Sequence, residues 1–104
     1  MSLWNMLFGG SGGSGRIGGD EARALVKDEG AALIDVRSPA EFGGGHLPGA
    51  RNIPVDEVAR RIDEFPDDRP IVVYCRSGAR SARAARLLRE QGRTVHDLGP
   101  KSAW

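Results

Sequence analysis

The stretch IVVYCRSGARSARAARLL, residues 71–88, decides how this chain folds. Ile71, Val72, Val73 and Tyr74 are β-branched or aromatic without a break, the composition of a strand covered on both faces of a parallel sheet. The strand is expected to end at Cys75, the only cysteine in 104 residues. From Arg80 onward Ala84, Ala85 and Leu88 recur at helical spacing and Arg83, Arg86 and Arg89 fall outside that stripe, so a helix starts just past the loop. The loop Arg76-Ser77-Gly78-Ala79-Arg80 is too short to bury itself. Its N–H groups and the helix's first unpaired N–H groups can therefore converge on the sulfur. A helix N-terminus and nearby arginines lower a cysteine from about 8.5 into a range of roughly 3.5 to 7.5 in known cases. Cys75 is thus expected to be a partly ionised, exposed nucleophile, with Arg76, Ser77, Gly78, Ala79 and Arg80 forming an anion cradle. The competing reading of a lone strand-end cysteine is a small buried hydrophobe; the glycine and flanking arginines of this loop weigh against it.

Upstream, AALIDV at residues 31–36 reads as a second buried strand. Asp20 is placed to cap a helix carrying Ala22, Leu25 and Val26, and Gly30 stands where a left-handed cap would end it. Ser38-Pro39-Ala40-Glu41 reads as a capping box with proline at the first helical position, followed by Phe42. His46-Leu47-Pro48-Gly49-Ala50 is a turn. The spacing of Val55, Val58, Ile62 and Phe65 predicts a helix over 56–65, and Thr94 to Leu98 reads as the last strand before a final turn. Ile17 is a candidate edge strand. Strands alternating with helices predict an α/β fold, a parallel sheet of about five strands with helices on both faces.

In such a sheet, function gathers at the C-terminal strand ends. Asp35 and Arg37 lie at the end of one strand and Cys75 at the end of another. Asp35 is expected to orient a loop arginine or accept loop N–H groups. Arg37 is expected to pair with Glu41, Arg76 to face the mouth, and Arg80 to fold back toward Asp35 or the loop. His46 is expected to support its turn rather than act as a base. The arginines 83, 86, 89 and 93 read as a solvated face or a basic rim. Two distant histidines and one cysteine do not make a metal site, and no cofactor is called for.

The segment around Cys75 resembles the active-site segment of rhodanese-domain sulfurtransferases. LIDVRSPAEFGGGHLPGARNIP, residues 33–54, and LGPKSAW, residues 98–104, resemble that family's other two signatures, with Pro100 in place of a glycine. The likeness covers residues 16–104 and implies a rhodanese-like fold. It also implies a single-domain sulfurtransferase of the thiosulfate sulfurtransferase type. In the implied chemistry the Cys75 thiolate takes a sulfane sulfur from thiosulfate or a similar donor, carries it as a persulfide, and hands it to cyanide, a thiol or a sulfur-carrier protein. Two alternatives differ in class. A sulfur-relay or protein-binding module would load Cys75 without small-molecule turnover. A cysteine phosphatase or arsenate reductase on the same fold would need a cradle one residue longer, whereas four residues separate Cys75 from Arg80 here.

Fifteen Lys and Arg against 14 Asp and Glu give a net charge of +1, so no global field argues for a nucleic-acid partner. A single cysteine excludes an internal disulfide. Residues 1–8, MSLWNMLF, are apolar but too short to span a bilayer and lack the features of a secretory signal. Residues 9–15, GGSGGSG, have linker composition. A domain over 16–104, a cytoplasmic location and a monomer are expected.

Overall fold

The computed structural model describes residues 15–104; the apolar opening and all but the last residue of the linker lie outside them. The elements are helix α1 (Gly19–Glu29), strand β1 (Ala32–Asp35), helix α2 (Pro39–Gly43), strand β2 (Arg51–Asn52), two 3₁₀ turns (Val55–Glu57 and Ile62–Glu64), strand β3 (Ile71–Cys75), helix α3 (Ala79–Glu90), strand β4 (Val95–Pro100) and a closing 3₁₀ turn (Lys101–Ala103). The sheet order is β2-β1-β3-β4 and every pairing is parallel. It is thus the expected α/β fold with four strands. The fifth position is filled by a single bridge from Arg16 to Asp97, because the chain peels away into α1 after Ile17 donates its N–H to the Asp97 carbonyl at 2.9 Å.

Successive strand residues face opposite sides of the sheet, which sorts β3 into two cores. Ile71, Val73 and Cys75 pack with Ala84, Ala85 and Leu88 of α3, and with Val55, Val58 and Phe65. Val72 and Tyr74 pack on the other side with Ala22 and Leu25 of α1, and with Leu33, Leu47 and Leu98. The sulfur therefore lies on the face that α3 covers.

Two local readings differ from expectation. The predicted helix over 56–65 is replaced by the two 3₁₀ turns. Three-residue periodicity buries Val55, Val58 and Phe65 as well as an α-helix would, and no side chain caps a longer one. Helix α1 starts with Gly18 as its cap, not Asp20. Its first residue, Gly19, abuts the Ala103 and Trp104 carbonyls so closely that an added Cβ would sit 2.3 Å from the Ala103 oxygen. Asp20 instead adds negative charge to the first turn and pairs with Arg23. Gly30 ends α1 at φ 67°, as its position foretold.

Tyr74 ties the two layers of the site region together. Its hydroxyl accepts the Leu47 N–H at 3.0 Å inside the core. Burial pushes the phenol up to about 12, against the pull of that N–H, so it stays protonated. Tyr74→Phe strands the buried Leu47 N–H and should cost about 1–3 kcal/mol in urea unfolding with an unchanged m-value. A loss under about 0.5 kcal/mol would mean that the 47–50 turn relaxes to find another acceptor.

Candidate active site

Helix α3 opens with Gly78 at φ 106°, a left-handed conformation that side-chain-bearing residues rarely adopt. This residue turns the backbone back over the end of β3. The Gly78 N–H then points at Cys75 Sγ at 3.0 Å and the Ser81 N–H at 3.3 Å, with the Ser77 N–H contributing. The loop closes over the sulfur completely: Cys75 is 0% exposed, where an exposed sulfur was expected. Burial alone pushes the thiol up, but the Ser81 hydroxyl and the Ser81, Gly78 and Ser77 N–H groups outweigh it, and the net displacement is downward.

Ser81 is a member of the cradle that the loop reading did not include. Its Oγ donates to the Gly78 carbonyl at 3.1 Å and accepts from the Cys75 thiol at 3.5 Å. A hydroxyl holds one proton, so once Cys75 ionises the Ser81 O–H must turn from Gly78 to the sulfur. The one sequence cue to it was a serine in the first turn of a helix whose N-cap is glycine. Buried at 0% exposure, it has no solvent role to play there.

The arginines are distributed differently from the expectation. Arg37 does not pair with Glu41: its guanidinium meets Asp35 through Nε at 3.0 Å and Nη2 at 2.7 Å, and its own backbone N–H reaches the same carboxylate at 2.9 Å. Asp35 thus holds Arg37, not an arginine of the cradle. The pair is buried and lies over the Tyr74 ring, with the guanidinium carbon 5.7 Å from its centroid. Nη2 of Arg37 also donates to the Gly45 carbonyl at 2.7 Å, and Asn52 Nδ2 donates to the carbonyls of Asp35 and Arg37 at 2.9 Å each. Arg80 reaches neither Asp35 nor the sulfur loop. It forms a two-pronged ion pair with Glu41, at 2.7 and 2.9 Å. The reason is that Glu41 is already fixed by the capping box with Ser38, so its carboxylate is presented rigidly toward α3. Arg80 and the Ser38 N–H hold the Glu41 carboxyl well below the usual range. Arg76 is exposed and, among the described residues, makes no ion pair or side-chain hydrogen bond. Ala79 is the first residue of α3.

His46 stacks on Phe42, centroids 3.9 Å apart, and its Nδ1 meets the Phe42 carbonyl at 3.2 Å, so it supports its turn as expected. Burial holds His96 down at about 4. The arginines of the far face are largely engaged: Arg83 with Asp56, Arg89 with the Val95 carbonyl, and Arg93 with the carbonyls of Phe65 and Ile62. Among the described residues no helix is long and apolar enough to cross a membrane.

The family described as Rhodanese-like domain matches residues 19–100. The chain belongs to this family. It is 40% identical over 85 residues to a sulfurtransferase of Allochromatium vinosum, covering 80% of this chain and 79% of that one. It is 40% identical over 77 residues to the thiosulfate sulfurtransferase GlpE of Pseudomonas putida, covering 74% and 70%. An uncharacterized Bacillus subtilis protein, YqhL, is 52% identical over 64 residues, but this chain spans only 51% of its length. Among solved structures, Bacillus anthracis CoADR-RHD superposes with a TM-score of 0.77 at 36% identity, over 91% of this chain and 16% of that one. The human single-domain sulfurtransferase TSTD1 gives 0.71 at 29% identity, over 86% and 90%.

With a single cysteine in the sequence, thiolate absorbance in the far ultraviolet titrates Cys75 alone below the tyrosine range. Its midpoint should lie below that of the unfolded chain, and Ser81→Ala should move it upward. Because the folded value is the lower one, ionisation stabilises the fold: the gain is complete above the unfolded pKa and lost as pH falls through the folded pKa. An unchanged midpoint in Ser81→Ala would assign the lowering to the backbone alone.

Proposed function

We propose that residues 16–104 form a sulfurtransferase unit in which Cys75 carries a sulfane sulfur as a persulfide. The observation that supports this most is the Cys75 Sγ accepting inward N–H groups at the start of α3, a site built to hold negative charge on sulfur. The similarity to sulfurtransferases of known name supports the same reading. With thiosulfate as donor, the thiolate attacks the outer sulfur, the donor S–S bond breaks, and sulfite leaves with its electron pair. The new anion then sits one atom further out on Cys75, still within reach of the Gly78 and Ser81 N–H groups. A thiophilic acceptor attacks that outer sulfur and returns Cys75 as the thiolate. Ser81 follows the charge by turning its O–H, while Glu41 and Arg80 clamp α2 to α3 and hold the cradle closed.

Asp35 and Arg37 support the site from below by fixing the turn after β1. Arg76, unpaired at the mouth, attracts the anionic donor. This division of labour favours small-molecule turnover over a passive binding module. The sequence contains no second thiol to resolve the persulfide as a disulfide, so the acceptor must come from outside.

Incubation with thiosulfate should add one sulfur to the intact mass of the protein, and Cys75→Ala should remove that gain and all thiosulfate:cyanide turnover. A Cys75→Ala protein that still turns over would end the assignment. The two arginines should separate kinetically. Arg76→Ala should raise KM for thiosulfate by less than about tenfold and weaken its salt dependence, since an exposed charge contact is worth roughly 1 kcal/mol or less. Arg80→Ala should lower kcat by more than that, because it frees the clamp on Glu41. The reverse pattern would place the anion contact on Arg80.

A further inference from the structure

Strand β4 carries a one-residue irregularity. Val73 of β3 pairs with Asp97 but Tyr74 pairs with Gly99, so Leu98 is the extra residue of a β-bulge. Gly99 takes φ 83° there, and Asp97 Oδ1 accepts its N–H at 2.8 Å. The bulge brings this glycine to the same side chain as Gly78, the positive-φ glycine that turns over the sulfur, and that side chain is Arg16. A Cβ on Gly78 would stand 2.6 Å from the Arg16 guanidinium carbon, and a Cβ on Gly99 2.7 Å from its Cδ. The two glycines thus form a slot that the arginine fills. Both are buried while Arg16 is exposed, which makes its side chain the outer cover of the turn. Its backbone is anchored on the same strand, by the bridge to Asp97 and by the Ile17 N–H. Arg16 does not line the cleft of about 620 Å³ at the mouth, which Arg37, Arg76 and Lys101 border.

Gly78 offers α3 no side-chain cap, and glycine has more backbone freedom to lose than any other residue. The Ser81 hydroxyl fixes the Gly78 carbonyl from inside the turn; Arg16 closes its other side. The charge acts in the same direction. Helix α3 has no acidic residue in its first turn, and Arg16 has no ion-pair partner among the described residues. A cation at a helix start opposes the macrodipole, so it does α3 itself no service. It does favour an anion on the sulfur that the turn encloses. From the guanidinium carbon through Gly78 to Sγ the path is less than about 9 Å.

We infer that Arg16 is a positioning residue for sulfur transfer: seated on Gly78 and Gly99, it holds the Gly78 N–H on Cys75 Sγ and favours the thiolate. The inference rests on the sulfur-transfer reading of Cys75 and adds a residue to its machinery. Arg16 acts through the Gly78 peptide and touches no reacting atom, so its effect belongs to the ionisation of the sulfur and not to capture of the donor.

Two measurements on Arg16→Ala, confirmed folded by circular dichroism, test this. The midpoint of thiolate absorbance needs no donor and should move upward. The rate at which thiosulfate loads Cys75, read from intact-mass time courses across pH, should have its acid limb displaced upward with that midpoint. Below the wild-type midpoint loading should fall by about three- to tenfold, and the gap should close once pH exceeds both midpoints. Arg16→Lys, which keeps the charge without the planar group, should fall between the two and carries the same comparison if the alanine variant unfolds. A midpoint and an acid limb unchanged from wild type overturn the inference. So does a loss of the same factor at every pH, which would make Arg16 a donor contact or a support of the fold at large. If wild-type Cys75 gains no sulfur at any pH, the sulfur-transfer reading fails, and the absorbance midpoint still decides whether Arg16 governs the thiolate.

Discussion

The site depends on one backbone conformation. Gly78 at φ 106° reverses the chain between a buried strand and a helix, and this reversal aims the Gly78 and Ser81 N–H groups at a sulfur that would otherwise be sealed in apolar surroundings. Without the turn, burial would hold Cys75 protonated, an inert member of the core it shares with Ala84 and Leu88. With it, the unpaired N–H groups of a helix start find their partner in the sulfur, and the same hydrogen bonds that satisfy the backbone lower the thiol. The contacts that satisfy the helix start are the ones that favour the thiolate. The Arg16 guanidinium lies against Gly78 and Gly99, so the back of the turn is lined by a cation at the junction with the linker.

Around this turn, two ion pairs act as braces of different kinds. Asp35 and Arg37 form a buried pair fixed by the Gly45 carbonyl, which accepts from Arg37, and by the Asn52 side chain, which donates to the carbonyls of Asp35 and Arg37; removing either partner would leave a charge stranded against Tyr74. Glu41 and Arg80 are more exposed, at 29% and 37% of their side chains, and join helices far apart in sequence. Glu41 also completes the capping box, so one carboxylate both starts α2 and ties it to α3. Water screens such a pair, and its value lies in geometry more than in energy. Arg76 and Lys101 are left over once these braces are made. They give the mouth a local positive charge that a net charge of +1 conceals.

The residues themselves determined the strand-loop-helix unit at 71–88, the helix stop at Gly30, the capping box at Ser38 and the layered parallel sheet. Each is set by short-range rules: side-chain period, φ freedom, and caps within a turn of their targets. The same locality explains the errors. The spacing of Val55, Val58, Ile62 and Phe65 is equally served by two 3₁₀ turns, and α1 starts at Gly19, packed against the Ala103 and Trp104 carbonyls, which no local pattern around Asp20 reveals. Partner choice among charges was decided only in three dimensions. Arg37 took Asp35 because both leave the end of β1 on one side, and Arg80 took Glu41 because α2 and α3 converge across 39 residues of sequence. The burial of the sulfur, the inclusion of Ser81 in its cradle and the placing of Arg76 and Lys101 on one cleft likewise depend on the register of β3 with β4 and on how α3 seats on the sheet. A linear pattern states which groups a chain owns; which of them meet is fixed by packing, because each side chain's neighbours come from elements distant in sequence.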